Sequence, residues 1–133
     1  MDAINAICFD WQKQRMARTD NEGWSLEKLE IIEGQYRKFL YLWKKYPEKN
    51  IPPSNDVDVF WHNHILDTEK YQKDCLNVFG YYKHHFPYFG IRGEDDRQAL
   101  LTAFEETLSL YQKEFGEMLY EVVDKQDGKA VTT

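Results

Sequence analysis

Apolar side chains recur at helical spacing along four stretches of the chain, and polar segments separate these stretches. In the first stretch, residues 2–18, the i, i+3, i+4, i+7 row consists of Ile4, Ile7, Cys8, Trp11 and Arg15. Asp2 is placed to cap this predicted helix. The polar run 19–23, which ends in glycine, then predicts a loop.

A longer amphipathic helix is predicted from Ser25 to Tyr46, and Pro47 ends it. Asp20 or Ser25 can supply its N-cap. Its apolar row consists of Leu29, Ile32, Tyr36, Phe39, Leu40 and Trp43. Two adjacent prolines within residues 48–54 then favour an extended connector.

The third predicted helix begins near residues 54–56, where Ser, Asn and Asp can each act as N-cap, and runs to about Phe79. Gly80 is a natural terminator. The face that we expect to meet the core carries Val57, Phe60, Trp61, His64, Thr68, Tyr71, Cys75, Val78 and Phe79. The segment 81–93 contains one proline and two glycines, so it is predicted to be a loop.

The last predicted helix starts at Asp95 or Asp96. Its apolar row consists of Leu100, Leu101, Phe104, Leu108, Tyr111, Phe115, Met118, Leu119 and Val122. The tail 125–133 is polar and expected to be frayed. Four helices with short connectors predict an all-α, compact bundle with an aromatic, histidine-bearing loop before the last helix. The length of 133 residues fits a single domain over 1–133.

Composition narrows the classes of function. The net charge of −6 argues against nucleic acid and against an anionic membrane surface as partners. No apolar run approaches the roughly 18 residues of a spanning helix. The N-terminus has no basic segment typical of a secretory signal. Cys8 and Cys75 lie far apart, which favours a reduced pair and a cytoplasmic protein.

The candidate chemistry is concentrated in residues 56–93, which contain all four histidines of the chain. Asp58 and His62 are spaced i, i+4, so a carboxylate and an imidazole can meet on one helical face. That carboxylate can bind a metal beside the imidazole or orient it. His62 and His64 point about 200° apart on a regular helix, so they do not bind one ion together.

The second pair, His84 and His85, lies on the predicted loop, which can fold back onto the third helix. One of them can complete a site with Asp58 and His62, or with His64. Two or three histidines and a carboxylate suit iron, zinc, copper or manganese. A triad of two histidines and one carboxylate leaves coordination positions open, and Cys75 adds a soft ligand if it faces the same cavity.

Two other classes of function stay open. In one, the histidines are structural and the chain is a metal-free protein–protein interaction module. In the other, a histidine is the general acid–base of a metal-independent enzyme. The partner is then an unknown small molecule or an unknown protein.

The motif Asp58-x-x-Trp61-His62-x-His64, followed by Tyr71, Cys75, Phe79-Gly80 and His84-His85-x-Pro87, resembles the glycine-rich domain-containing protein-like family. The resemblance covers residues 52–93, and with seven glycines the chain resembles only the helical module of that family. It implies a shared site drawn from Asp58, His62, His64, Cys75, His84 and His85. The leading hypothesis is a small metal-binding helical protein, extending to a metalloenzyme.

Overall fold

The computed structural model describes residues 1–120 and the backbone of residues 122–124 and 129–131. In residues 1–120 the helices are α1 Asp2–Asn5, α2 Asp10–Met16, α3 Leu26–Lys45, α4 Asn55–Leu66, α5 Thr68–Val78 and α6 Glu94–Phe115. The predicted all-α bundle is confirmed, with two of the predicted helices each divided in two. Two short antiparallel strands follow, β1 Val122–Asp124 and β2 Lys129–Val131. Among the described helices, none has the length and apolar content to cross a membrane.

Helix α3 lies at the centre of the core. The Ser25 hydroxyl accepts a hydrogen bond from the Lys28 amide at 3.1 Å, which caps the helix as predicted. All six side chains of its predicted apolar row are buried. Tyr36 packs on Phe60 of α4, with ring centroids 5.3 Å apart, so α3 and α4 share one aromatic layer.

The first predicted helix is divided, and the structure corrects its inward face. The chain leaves the helix at Ala6 and resumes at Asp10. This shift turns Phe9, Gln12 and Met16 inward and leaves Trp11 80% exposed. Gln12 Nε2 donates to the Phe60 carbonyl at 2.9 Å, which attaches α2 to α4. Of the predicted apolar row, Ile4 and Ile7 are therefore buried, whereas Cys8 and Trp11 are exposed.

The third predicted helix is divided at Asp67, whose φ of −85° and ψ of 75° lie outside the helical region. Ten residues of continuous helix span about 15 Å. Across the break, however, His64 Nε2 lies 2.8 Å from Asp74 Oδ2. Trp61 Nε1 likewise lies 2.9 Å from the Tyr71 hydroxyl. Helix α5 therefore folds back against α4.

The predicted core face of α4 and α5 is largely confirmed. Val57, Phe60, Trp61, His64, Tyr71, Cys75 and Val78 are all buried. Thr68 is exposed because it directly follows the break, and Phe79 is half-buried. Ser54 caps α4, since its hydroxyl accepts a hydrogen bond from the Val57 amide at 3.3 Å.

Helix α6 joins the core mainly through its last turns. Tyr111 is buried and packs on Phe39, with ring centroids 5.8 Å apart. Glu114 accepts a hydrogen bond from Lys45 Nζ at 2.9 Å. The helix ends at Gly116, whose φ of 68° is left-handed, so the predicted extension to Val122 was wrong. The predicted frayed tail 125–133 lies outside the described residues, apart from the backbone of 129–131.

Candidate metal centre

Three side chains with metal-ligating atoms meet on one face of α4. Asp58 and His62 lie one turn apart on the helix, and His85 reaches them from the loop. His85 Nε2 is 2.7 Å from Asp58 Oδ1, and the rings of His62 and His85 lie 5.0 Å apart. One ligand atom from each residue lies within 4.8 Å of the other two. We call these three residues the histidine–carboxylate cluster.

The cluster is open to solvent on one side and covered on the other. His62 is exposed, while Asp58 and His85 are half-buried. The buried Trp61 indole covers one side of His85, with ring centroids 4.4 Å apart. An ion at the cluster is therefore within reach from solvent, and further ligands have room to approach.

The histidine loop, residues 79–93, is anchored by Tyr71. The Tyr71 hydroxyl donates to the Lys83 carbonyl at 2.6 Å and accepts from Trp61 Nε1. Burial raises the pKa of the Tyr71 phenol, so the phenol keeps the proton that it donates. Gly80 begins the loop with a φ of 81°, a conformation that side chains disfavour. These features position His85 over α4.

His64 lies on the buried side of α4, away from the cluster. The Tyr36 hydroxyl is 2.7 Å from His64 Nδ1, and Asp74 Oδ2 is 2.8 Å from His64 Nε2. A neutral imidazole fits both contacts if Nδ1 accepts and the Nε2 proton is donated to the carboxylate. Tyr36, His64 and Asp74 form what we call the buried histidine network. Because both ring nitrogens are occupied, this histidine has no lone pair free for a metal.

Electrostatics keep His64 neutral. Burial lowers its pKa, and the hydrogen bond to Asp74 opposes this only in part. Burial acts to raise the pKa of Asp74, but the hydrogen bonds from His64 and Lys70 outweigh it. The pKa of Asp74 therefore lies below its usual range. An ionised carboxylate and a neutral imidazole form a stable buried pair.

The two remaining candidates also lie apart from the cluster. His84 is exposed and packs beside Tyr82, with ring centroids 4.7 Å apart. Cys75 is buried beside a small cleft that His64 and Tyr71 also line. Burial raises the pKa of its thiol, which disfavours the thiolate that binds metals.

A groove of about 510 Å³ adjoins the cluster, and Asp58 and His85 form part of its wall. Lys83 and Trp43 also line it, and no motif or spacing in the sequence singles them out as site residues. Their proximity depends on how the histidine loop folds onto α3 and α4. A larger groove of about 610 Å³ between residues 49–51 and α6 is lined by no histidine.

Comparison with known proteins identifies relatives. The family described as UCP032817-like matches residues 1–120. Glycine-rich domain-containing protein 1 of Arabidopsis thaliana is 29% identical over 105 residues, which cover 76% of this chain and 13% of that protein. Glycine-rich domain-containing protein 2 of the same plant is 29% identical over 132 residues, covering 94% and 16%. The chain thus spans less than a fifth of these curated relatives. No solved structure matches it.

Proposed function

This chain belongs to the UCP032817-like family, and we propose that its histidine–carboxylate cluster binds a divalent transition-metal ion. The observation that carries the proposal is the convergence of Asp58, His62 and His85 from two separate segments of the chain. The similarity to the two glycine-rich domain-containing proteins supports a helical module that is shared with longer proteins.

The donor set suits such an ion. Imidazole nitrogens bind zinc at about 2.0–2.1 Å, so neighbouring ligand atoms around one ion lie about 3 Å apart. The three ligand atoms already lie within 4.8 Å of one another, so small side-chain rotations are enough. A metal at this position replaces the proton shared by His85 and Asp58. Two imidazoles and a carboxylate accommodate iron, zinc, copper or manganese.

Three protein ligands leave coordination positions for water or for a small molecule. An ion held by Asp58, His62 and His85 would supply Lewis-acid chemistry at those positions. The adjoining groove gives a small molecule a route to those positions. We extend this proposal to a metalloenzyme in which the bound ion acts as a Lewis acid, and we assign no reaction to it.

The test is elemental analysis of protein purified without a histidine tag and then incubated with each of the four metals. His85→Ala removes one ligand of the cluster. His84→Ala is the matched control, because it removes the adjacent exposed imidazole outside the cluster. We expect near-stoichiometric metal in the wild type and in His84→Ala, and loss of the metal in folded His85→Ala. Equal metal content in the two variants contradicts the proposal.

A second candidate function is a metal-free interaction module, and the exposed aromatic surface of the histidine loop favours it. Tyr81, Phe86 and Tyr88 are each about half exposed, and Ile91 is 72% exposed. Exposed apolar patches mark interaction sites in many proteins. In this second function, the contact between His85 and Asp58 is structural and holds the histidine loop in place. Metal-free protein with an undiminished melting temperature would favour this function.

The compartment is also part of the proposal. Cys8 is exposed and Cys75 is buried, and both thiols are free. This arrangement supports the expected reduced pair and a cytoplasmic location.

A further inference from the structure

The groove beside the histidine–carboxylate cluster has the size and lining of a small-molecule site. Its volume of about 510 Å³ falls within the typical range of about 300–1,000 Å³ for ligand pockets. Its walls come from the proline connector, from α4 and from the histidine loop. Trp61, Phe86, Phe89 and Pro52 supply flat or apolar surface.

Two closely packed indoles, tilted by 37° to one another, form one wall of this groove. Trp43 and Trp61 lie with ring centroids 4.4 Å apart, and both are buried. Trp43 is fixed because its Nε1 donates to the Ile51 carbonyl at 2.9 Å. Trp61 is fixed by the Tyr71 hydroxyl. This aromatic wall is therefore preorganised, which reduces the entropy lost when a ligand binds.

Lys83 brings a positive charge to the same wall. Its Nζ lies 5.0 Å from the centroid of Trp43 and 5.7 Å from that of Trp61. The Lys83 side chain is half-buried, so it lies partly within this wall. Among the residues that the structure describes, no carboxylate lies within ion-pair distance of Lys83.

Two other basic side chains line the groove: Lys49 lies over the Tyr46 ring, and Arg92 has a carboxylate partner. Arg92 Nη2 lies 2.8 Å from Asp96 Oδ1. Asp58, the carboxylate of the histidine–carboxylate cluster, is hydrogen-bonded to His85. A half-buried ammonium beside two packed indoles is complementary to an anion that carries an apolar body.

We infer that this groove binds a small organic carboxylate with a flat apolar body, held at its carboxylate by Lys83 and at its body by the aromatic wall. The other end of the ligand then reaches the histidine–carboxylate cluster. The inference rests on the proposed metal site for the identity of that reactive end. It defines the substrate class as apolar carboxylic acids.

The test compares 3-phenylpropionate with its uncharged amide, 3-phenylpropionamide, by calorimetric titration of the full chain, with and without bound zinc. Lys83→Met removes the charge and keeps an unbranched apolar stem over the indoles. Lys49→Met is the matched control, because Lys49 lines the same groove and its Nζ lies over Tyr46.

We expect the acid to bind about tenfold more tightly than the amide, as one charge-assisted hydrogen bond implies. This preference should vanish in Lys83→Met and persist in Lys49→Met. Equal binding of acid and amide overturns the inference. So does an unchanged preference in Lys83→Met, and so does the absence of binding by both probes.

Zinc binding is measured separately on the same samples, so the two proposals fail independently. A Lys83-dependent preference without any zinc uptake supports the carboxylate site and contradicts the metal site. Stoichiometric zinc without a preference for the acid supports the metal site and contradicts the carboxylate site.

Discussion

His62 and His64 stand two residues apart on α4, yet they occupy opposite environments. His64 is 1% exposed and both of its ring nitrogens have protein partners. His62 is exposed, and its ring lies beside that of His85, with ring centroids 5.0 Å apart. A histidine whose two ring nitrogens both have protein partners contributes to stability, whereas an exposed histidine without such partners is available for a ligand.

The two regions also differ in how they use a carboxylate. In the buried histidine network, Asp74 fixes the tautomer of His64 and is itself held by Lys70 at 2.7 Å. In the histidine–carboxylate cluster, the Asp58 side chain is 39% exposed. Among the described residues, its hydrogen bond with His85 is the only one that joins the histidine loop to α4. In the first arrangement both ring nitrogens of His64 are occupied, whereas in the second we propose that a metal ion replaces the proton between His85 and Asp58.

The largest effect should come from His64→Ala. This change leaves the buried Tyr36 hydroxyl without its acceptor and opens a cavity, so the free energy of unfolding should fall by about 3 kcal/mol. His62→Ala is the matched substitution on the exposed side, and it should change stability by less than about 0.5 kcal/mol. Urea denaturation of both variants measures the difference. Similar losses in the two variants would contradict the contrast between these histidines.

Tyr71→Phe should have the next largest effect. It removes the acceptor of the buried Trp61 Nε1 and the donor to the Lys83 carbonyl, at a cost of about 2 kcal/mol. The histidine loop should then be less well held, and metal affinity at His85 should fall as well. Tyr82→Phe, on an exposed residue of the same loop, should leave both quantities unchanged. Denaturation and metal titration of the two variants check this prediction.

Acid should weaken the fold through the buried histidine network. The folded-state pKa of His64 lies below its ordinary 6.5, so the unfolded chain takes up a proton first and stability falls as the pH drops below that value. The folded-state pKa of Asp74 lies below its ordinary 3.8, so a second loss follows at lower pH. Denaturation midpoints across a pH series measure both steps. In His64→Gln the upper step should be absent, and its persistence would assign it to another group.

The smallest effect should come from Lys70→Met. Lys70 is about one-third exposed, and its i, i+4 ion pair with Asp74 should contribute less than about 1 kcal/mol. The hydrogen bond between His64 and Asp74 should survive, so the loss should stay well below that of His64→Ala. Denaturation at low and high salt checks the electrostatic origin, since a surface pair weakens with salt.

Local spacing was enough to predict much of this molecule. The apolar row of α3 and the proximity of Asp58 to His62 follow from helical periodicity, and the opposite directions of His62 and His64 follow from the same rule. The partners of His64 did not follow. Tyr36 lies 28 residues away, and Asp74 meets His64 only because the helix breaks at Asp67. The choice of His85 over His84 also depends on a tertiary contact, the docking of the loop onto Tyr71.

The helix break at Asp67 also bears on the order in which the molecule assembles. It brings Trp61 to Tyr71 and His64 to Asp74 across only ten residues. Closing a loop of that length takes on the order of 10–100 ns. The contact between Phe39 and Tyr111 spans 72 positions and costs more chain entropy. The α4–α5 hairpin should therefore be an early nucleus, with α6 joining later, and kinetic analysis of Trp61 and Tyr111 substitutions should give high and low φ-values respectively.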